Sequence, residues 1–229
     1  MAIYGLFQEL ALTLGHGTFG KFDVVQARRF PCGTGVGGAD LRQAIANATD
    51  DLMRQVRRLM NKNARLFYAL WPDEQTRSLL VQWQESVIGR RISRDHLHLT
   101  LAFLGNQSTS LLPTLAQLME KLPDQCFNLS LDRYGYFKQQ RTVWAGPSET
   151  PAPLLDLQQA LIHELNASQI PLKTTASFRP HVTLARHANQ LNERPAQMML
   201  WRVSKIMLIQ SVQHSGGVIY SPVAERALV

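Results

Sequence analysis

The chain has 229 residues, enough for one sizeable core or two small lobes, with 45% hydrophobic and 18% charged residues, an ordinary balance for a globular protein. Its 24 Lys and Arg against 17 Asp and Glu leave a formal charge of +7, which favours an anionic partner such as a nucleic acid. Three features exclude other classes: no run approaches the roughly 20 apolar residues of a membrane span, the start lacks a basic n-region, and Cys32 and Cys126 form no metal-ligand spacing. The expectation is a soluble protein of a reducing, cytoplasmic compartment.

Residues 1–59 hold 8 of the 14 glycines, including Gly33-Thr-Gly-Val-Gly-Gly38, a density that raises the entropy cost of ordering. This segment reads as an extension, or as translated sequence upstream of a start at Met60. Within it, Leu41, Ile45, Ala48, Leu52, Val56 and Leu59 recur at helical steps behind Asp40, which predicts a helix over 40–59.

From Arg65 strands alternate with helices. Leu66–Leu70 is a strand stopped at Trp71-Pro72, and Asp73 caps a helix running to about Ile88. A strand over His96–Leu104 follows, then a helix near Ser110–Leu122. Phe127–Lys138 with Thr142–Ala145 reads as a hairpin. A helix over Pro153–Ala167, a strand over His181–Ala185, and a closing pair, Trp201–Gln213 with Val218–Tyr220, complete the chain. The order predicts an α+β fold of two similar halves exchanging near residues 138–142.

The most informative stretches are His96-Leu-His-Leu-Thr-Leu-Ala-Phe-Leu104 and Arg179-Pro-His-Val-Thr-Leu-Ala-Arg186. On a strand, His98 and Thr100 share one face while Leu97, Leu99 and Leu101 share the other; His181 and Thr183 repeat this against Val182 and Leu184. An imidazole exchanges a proton near neutral pH, and a threonine hydroxyl donates to a phosphate oxygen. Two such pairs facing across a cleft offer an acid, a base and two donors to one phosphorus, with no need of a metal. His16-Gly-Thr18 repeats the spacing without strand alternation and reads as coincidence.

The pair His98-Leu-Thr-Leu-Ala-Phe-Leu-Gly105 and Arg179-Pro-His-Val-Thr-Leu-Ala-Arg186 resembles the bacterial and archaeal RNA 2',3'-cyclic phosphodiesterases, also called 2'-5' RNA ligases, of the 2H phosphoesterase superfamily. The likeness spans roughly residues 62–229, so residues 60–229 form the domain and 1–59 stand outside it. The resemblance implies a bilobal fold of two pseudo-symmetric antiparallel-sheet lobes, helices outside and a central cleft. It also implies hydrolysis of RNA 2',3'-cyclic phosphate ends to 2'-phosphates, with reversible 2'-5' ligation as a second activity. Carried over, His98 protonates the departing 3'-oxygen, His181 activates water, and Thr100 and Thr183 hold the phosphate, although the two histidines can exchange roles. Arg186 matches a family arginine, yet strict alternation aims it away from the cleft unless a bulge intervenes; Arg179 is its rival. The expected partner is RNA with such an end, tRNA-derived RNA among them. A monomer without metal, cofactor or membrane is expected.

Other readings stay open at this point. The same fold can take a small cyclic nucleotide or 2'-5' oligoadenylate, or serve as a non-catalytic RNA-binding module. His96 and His98 imitate a metal-binding spacing, but no third ligand stands out, and His96 reads as a cleft-rim residue. Arg90, Arg91 and Arg94 line an RNA path or a solvated loop. Tyr134, Tyr136 and Phe137 stack on bases or pack the hairpin. Phe103, by parity, belongs to the core.

Overall fold

The computed structural model describes residues 63–229 apart from 173–176, 192–194, 196 and 216. All of them belong to one compact unit. The expected extension at 1–59, its helix over 40–59 and His16-Gly-Thr18 lie outside the described residues.

Strand β1, Asn63–Leu70, alternates as a strand with two different faces should. Ala64, Leu66, Tyr68 and Leu70 enter the main core, whereas Phe67 and Ala69 join a small apolar cluster with Met207 and Ile209. Helix α1, Glu74–Glu85, starts where the Asp73 carboxylate accepts from the Thr76 backbone N–H at 2.7 Å, satisfying one of the donors orphaned at a helix start. It ends short of the expected Ile88, and the chain turns at Gly89 with φ of 157°.

Strand β2, Arg90–Arg91, and a 3-10 turn over Arg94–His96 precede β3, Leu99–Ser108. The expected strand over His96–Leu104 therefore begins three residues late, because the turn takes up His96. One expected helix near 110–122 is instead α2, Leu112–Leu118, between 3-10 turns at Thr109–Leu111 and Met119–Lys121. The remaining elements are β4 Phe127–Leu131, β5 Arg133–Phe137, β6 Thr142–Gly146, α3 Ala152–Ala167, β7 Val182–Arg186, β8 Met199–Val203, β9 Lys205–His214 and β10 Gly217–Ala227.

The expected hairpin from Phe127 is corrected by the pairing. Only β5 and β6 form it, while β4 pairs with β8, Phe127 opposite Val203 and Leu131 opposite Met199. The expected closing strand over Trp201–Gln213 is likewise divided at Ser204 between β8 and β9. The larger sheet has eight strands in the order β10-β9-β1-β3-β7-β6-β5, with β2 attached to β7. Its two halves, β10-β9-β1-β3 and β7-β6-β5, meet through the pair Leu99 and Val182. Each half carries one histidine motif, in an α+β architecture.

Each α-helix of the described residues contributes to the main core: Leu80 and Trp83 from α1, Leu115 and Leu118 from α2, and Leu154, Leu157, Leu161 and Leu165 from α3. The α3 leucines recur at three- and four-residue steps along one stripe, and each fully buried leucine stabilises by about 1.5–3 kcal/mol before conformational entropy is charged. With this face packed, the other side of the central strands carries the polar side chains of a cleft.

Candidate active site

Directly opposed residues of an antiparallel pair share a face. Leu99 and Val182 are opposed and fully buried, so their neighbours His98, Thr100, His181 and Thr183 turn to the other side. All four line one cavity of about 820 Å³, together with Arg65, Arg186 and Tyr220. Continuing the register from Leu99 and Val182 sets His98 beside Thr183 and Thr100 beside His181, so that the two motifs interleave.

Both histidines immediately precede their strands, and both are held in the same way. The Nδ1 of His98 lies 2.7 Å from the His96 carbonyl, and the Nδ1 of His181 lies 2.7 Å from the Arg179 carbonyl. A carbonyl oxygen only accepts, so each Nδ1 carries the hydrogen and each neutral ring leaves Nε2 unprotonated. Such a ring can take a proton at Nε2, and its conjugate acid can return one there. The threonine hydroxyls beside them can hydrogen-bond an anion.

Aromatic rings enclose His98. Trp71 stacks on it, Phe67 lies 5.0 Å away and Tyr220 meets it edge-on at 5.3 Å. His181 has Phe137 edge-on at 5.0 Å and Trp144 at 6.0 Å. Burial pushes the His98 pKa down to about 4, against the raising effect of the His96 carbonyl bond, and the neighbouring His181, His96 and Arg186 push it the same way as burial. Burial also lowers His181, opposed by the Arg179 carbonyl and assisted by the Arg179 and Arg186 charges. Without an anion, the cleft keeps His98 neutral at neutral pH.

Arg186 lines the same cavity, and β7 carries the bulge its placement requires. Trp144 pairs with Thr183 and Val143 with Ala185, leaving Leu184 without a partner in β6. The extra residue reverses the alternation, so Leu184 and Ala185 are both buried and Arg186 returns to the face of Thr183. Arg179 is exposed on the other side of His181, its guanidinium 5.7 Å from the Phe137 ring centroid, and borders a neighbouring cavity of about 780 Å³ that also touches Thr100 and His181.

A bulge also overturns the placing of Phe103 in the core. In the β1–β3 register Tyr68 pairs with Ala102 and Ala69 with Thr100, so Leu101 is skipped. Phe103 therefore joins Thr100 on the cleft face, packed with Phe67 and Ala69, and the Arg65 guanidinium sits 4.9 Å from its ring centroid. The alternation that placed Phe103 with the leucines fails at this extra residue.

The other candidates separate. His96 lines the cleft rim with its ring 4.5 Å from Tyr220. Arg90 and Arg91 line the cavity, but Arg94 is occupied by Glu74 and by the Ser78 hydroxyl at 3.0 Å. Tyr134 and Tyr136 donate their hydroxyls to the carbonyls of Trp83 and Ala188 and pack against the core, whereas Phe137 faces His181. Sequence reasoning missed Arg65, Phe67, Trp71 and Tyr220. The odd positions 65, 67 and 71 carried a readable signal, since they continue one face of β1. Among the described residues no group of three or more His, Cys, Asp or Glu is placed to hold a metal ion, and no helix is long and apolar enough to cross a membrane.

Two imidazoles, two threonines and an arginine on one open sheet face are a set that can do acid–base chemistry on an anionic ester. The comparisons with known proteins agree with that class. The 2'-5' RNA ligase superfamily profile matches residues 71–214. The chain is 30% identical over 175 residues to the RNA 2',3'-cyclic phosphodiesterase of Escherichia coli K12, covering 74% of this chain and 99% of that protein. It is 31% identical over 180 residues to the protein of the same name from Thermus thermophilus, covering 72% and 90%. The crystal structure of E. coli LigT in apo form superposes with a TM-score of 0.66 at 29% identity, over 73% of this chain and 99% of that one. This chain belongs to the 2'-5' RNA ligase superfamily.

Proposed function

We propose that the protein is an RNA 2',3'-cyclic phosphodiesterase that opens the cyclic phosphate to a 2'-phosphate without a metal, with reversible 2'-5' ligation, in which a 5'-hydroxyl attacks in place of water, as a second activity. The observation that carries this is the matched pair of rings, each tied at Nδ1 to the carbonyl two residues upstream and each offering Nε2 to one cavity. His181 takes a proton from water as that oxygen attacks phosphorus. His98 gives a proton to the 3'-oxygen as its bond to phosphorus breaks, so one proton enters and one leaves the pair in each turnover. The incoming anion favours the protonated form of a ring whose pKa burial depresses, and the face of Trp71 attracts the resulting imidazolium. Thr100, Thr183 and Arg186 hydrogen-bond the non-bridging oxygens as charge develops on them, with Arg179 at the margin.

One chain supplies both motifs, so the cleft is complete in a monomer. Ends of tRNA fragments belong to the substrate class, and a cytoplasmic location follows from such a substrate. The test is digestion of an oligonucleotide ending in a 2',3'-cyclic phosphate in chelator-treated buffer, with the product's phosphate position read by NMR. A 2'-phosphate is expected; turnover abolished by chelator, or a 3'-phosphate product, contradicts the scheme.

A further inference from the structure

Gln84 stands next to last in α1 and is only 3% exposed, although glutamine is mostly a surface residue. Burying an amide costs stability unless its polar atoms are bonded. Here the Nε2 group donates to the Leu184 carbonyl at 2.7 Å and to the Ile92 carbonyl at 2.8 Å. The Ile92 N–H reaches the same Leu184 carbonyl at 2.8 Å. One side chain, 100 residues away in sequence from Leu184, thus ties the link after β2 to the bulged residue of β7.

That residue decides where Arg186 points. With Leu184 as the extra residue, Arg186 returns to the face of Thr183; with the extra residue placed beyond Arg186, plain alternation turns Arg186 to the opposite face. Past Arg186 the chain is held separately, for the Ala188 N–H donates to the Arg141 carbonyl at 2.9 Å and the Tyr136 hydroxyl donates to the Ala188 carbonyl at 3.1 Å. Those bonds dock the end of the strand without fixing which residue is the extra one. Resting on the phosphodiesterase reading, we infer that Gln84 is a positioning residue: by gripping the bulged Leu184 it sets Arg186 on the cleft, where Arg186 meets the reacting phosphate.

Arg186 is one of the charges that lower the pKa of His98 and of His181, beside His96 and His181 acting on the first ring and Arg179 on the second. NMR titration of the two imidazoles in the intact protein therefore reports where Arg186 sits, whether or not substrate turns over. Gln84→Met keeps the length of the side chain without its donors. It should raise both pKa values, in the direction of Arg186→Ala, and should raise neither further in the Arg186→Ala background, as expected when one residue acts through the other. On an oligonucleotide ending in a 2',3'-cyclic phosphate, Gln84→Met should lower kcat by about tenfold with little change in KM, since a misplacement of about 1 Å can cost about 10²-fold. Gln84→Asn, which keeps the amide on a shorter arm, should lose less. Thermal melts report the fold of each variant, and Gln84→Asn carries the same cycle if Gln84→Met does not fold. Imidazole pKa values that do not move, or that move as much without Arg186 as with it, overturn the positioning role and leave the activity standing. If wild type leaves the cyclic phosphate intact, the phosphodiesterase reading itself falls, and the titration still decides whether Gln84 sets Arg186.

Discussion

The indole of Trp71 lies parallel to the imidazole of His98, with 4° between their planes and 5.3 Å between centroids. Trp71 sits just beyond β1, and His98 just ahead of β3, so the stack joins two chain segments outside regular structure and limits rotation of the imidazole. A ring held this way keeps Nε2 aimed at the cleft while Nδ1 keeps its carbonyl bond. Aromatic pairs contribute about 0.5–1.5 kcal/mol beyond their burial. Trp71→Ala should therefore lower kcat by about two- to tenfold with a smaller change in KM, and Trp71→Phe should restore most of it. Steady-state kinetics on a cyclic-phosphate oligonucleotide checks both, and a change confined to KM would count against a positioning role.

His98→Ala and His181→Ala should each reduce kcat by about 10²-fold or more, the contribution of a general acid or base. The double variant should fall little further, because the two act in one step and their effects do not add. Single-turnover rates measure this. An enzyme that keeps most of its rate without either ring uses a different mechanism.

Stability should depend on acidity with a defined sign. His98 titrates at about 4 in the folded protein against an unperturbed 6.5, so the unfolded chain binds its proton first as pH falls. The folded state should lose stability between about pH 6.5 and about pH 4, with His181 adding in the same direction. Denaturation midpoints at about pH 7.5 and about pH 5 test it, and His98→Gln should show a smaller difference between the two. An identical difference in that variant would assign the effect to other groups.

Gly135 lies beneath the Trp144 indole, where an added Cβ would come 1.9 Å from Cζ2. Trp144 in turn lies beside His181. Gly135→Ala should destabilise the protein by about 1–3 kcal/mol through overpacking and should lower activity by displacing the indole. Thermal melts and kinetics together check this, and a variant with wild-type melting would show that the indole moves aside at no cost.

How much of this was readable before any coordinates follows from which residues obey local rules. The two His-x-Thr pairs, the Asp73 cap and the helix expected over Pro153–Ala167 depend on short-range patterns, and each is found where it is expected, the helix to within a residue. Phe103 was misplaced because a skipped residue at Leu101 reverses alternation without leaving a mark in composition. Arg186 needed the same device, and its dependence on a bulge could be stated from parity although the bulge itself could not be located. The pairing of β4 with β8 joins segments about 70 residues apart, with Phe127 opposite Val203, and nothing local in Phe127–Leu131 distinguishes that partner from β5. Tyr220 at the His98 ring has the same cause, since a long-range strand return places it there.

That return has a consequence for synthesis. Strands β9 and β10 complete the half of the sheet begun by β1, and Tyr220 closes one wall around His98. A nascent chain halted after β7 has already made both histidine motifs, yet it lacks the strands that enclose the first of them. Competence therefore arrives late in translation, once the ribosome releases the stretch that docks against β1, and a prematurely terminated polypeptide carrying the full signature should be inert.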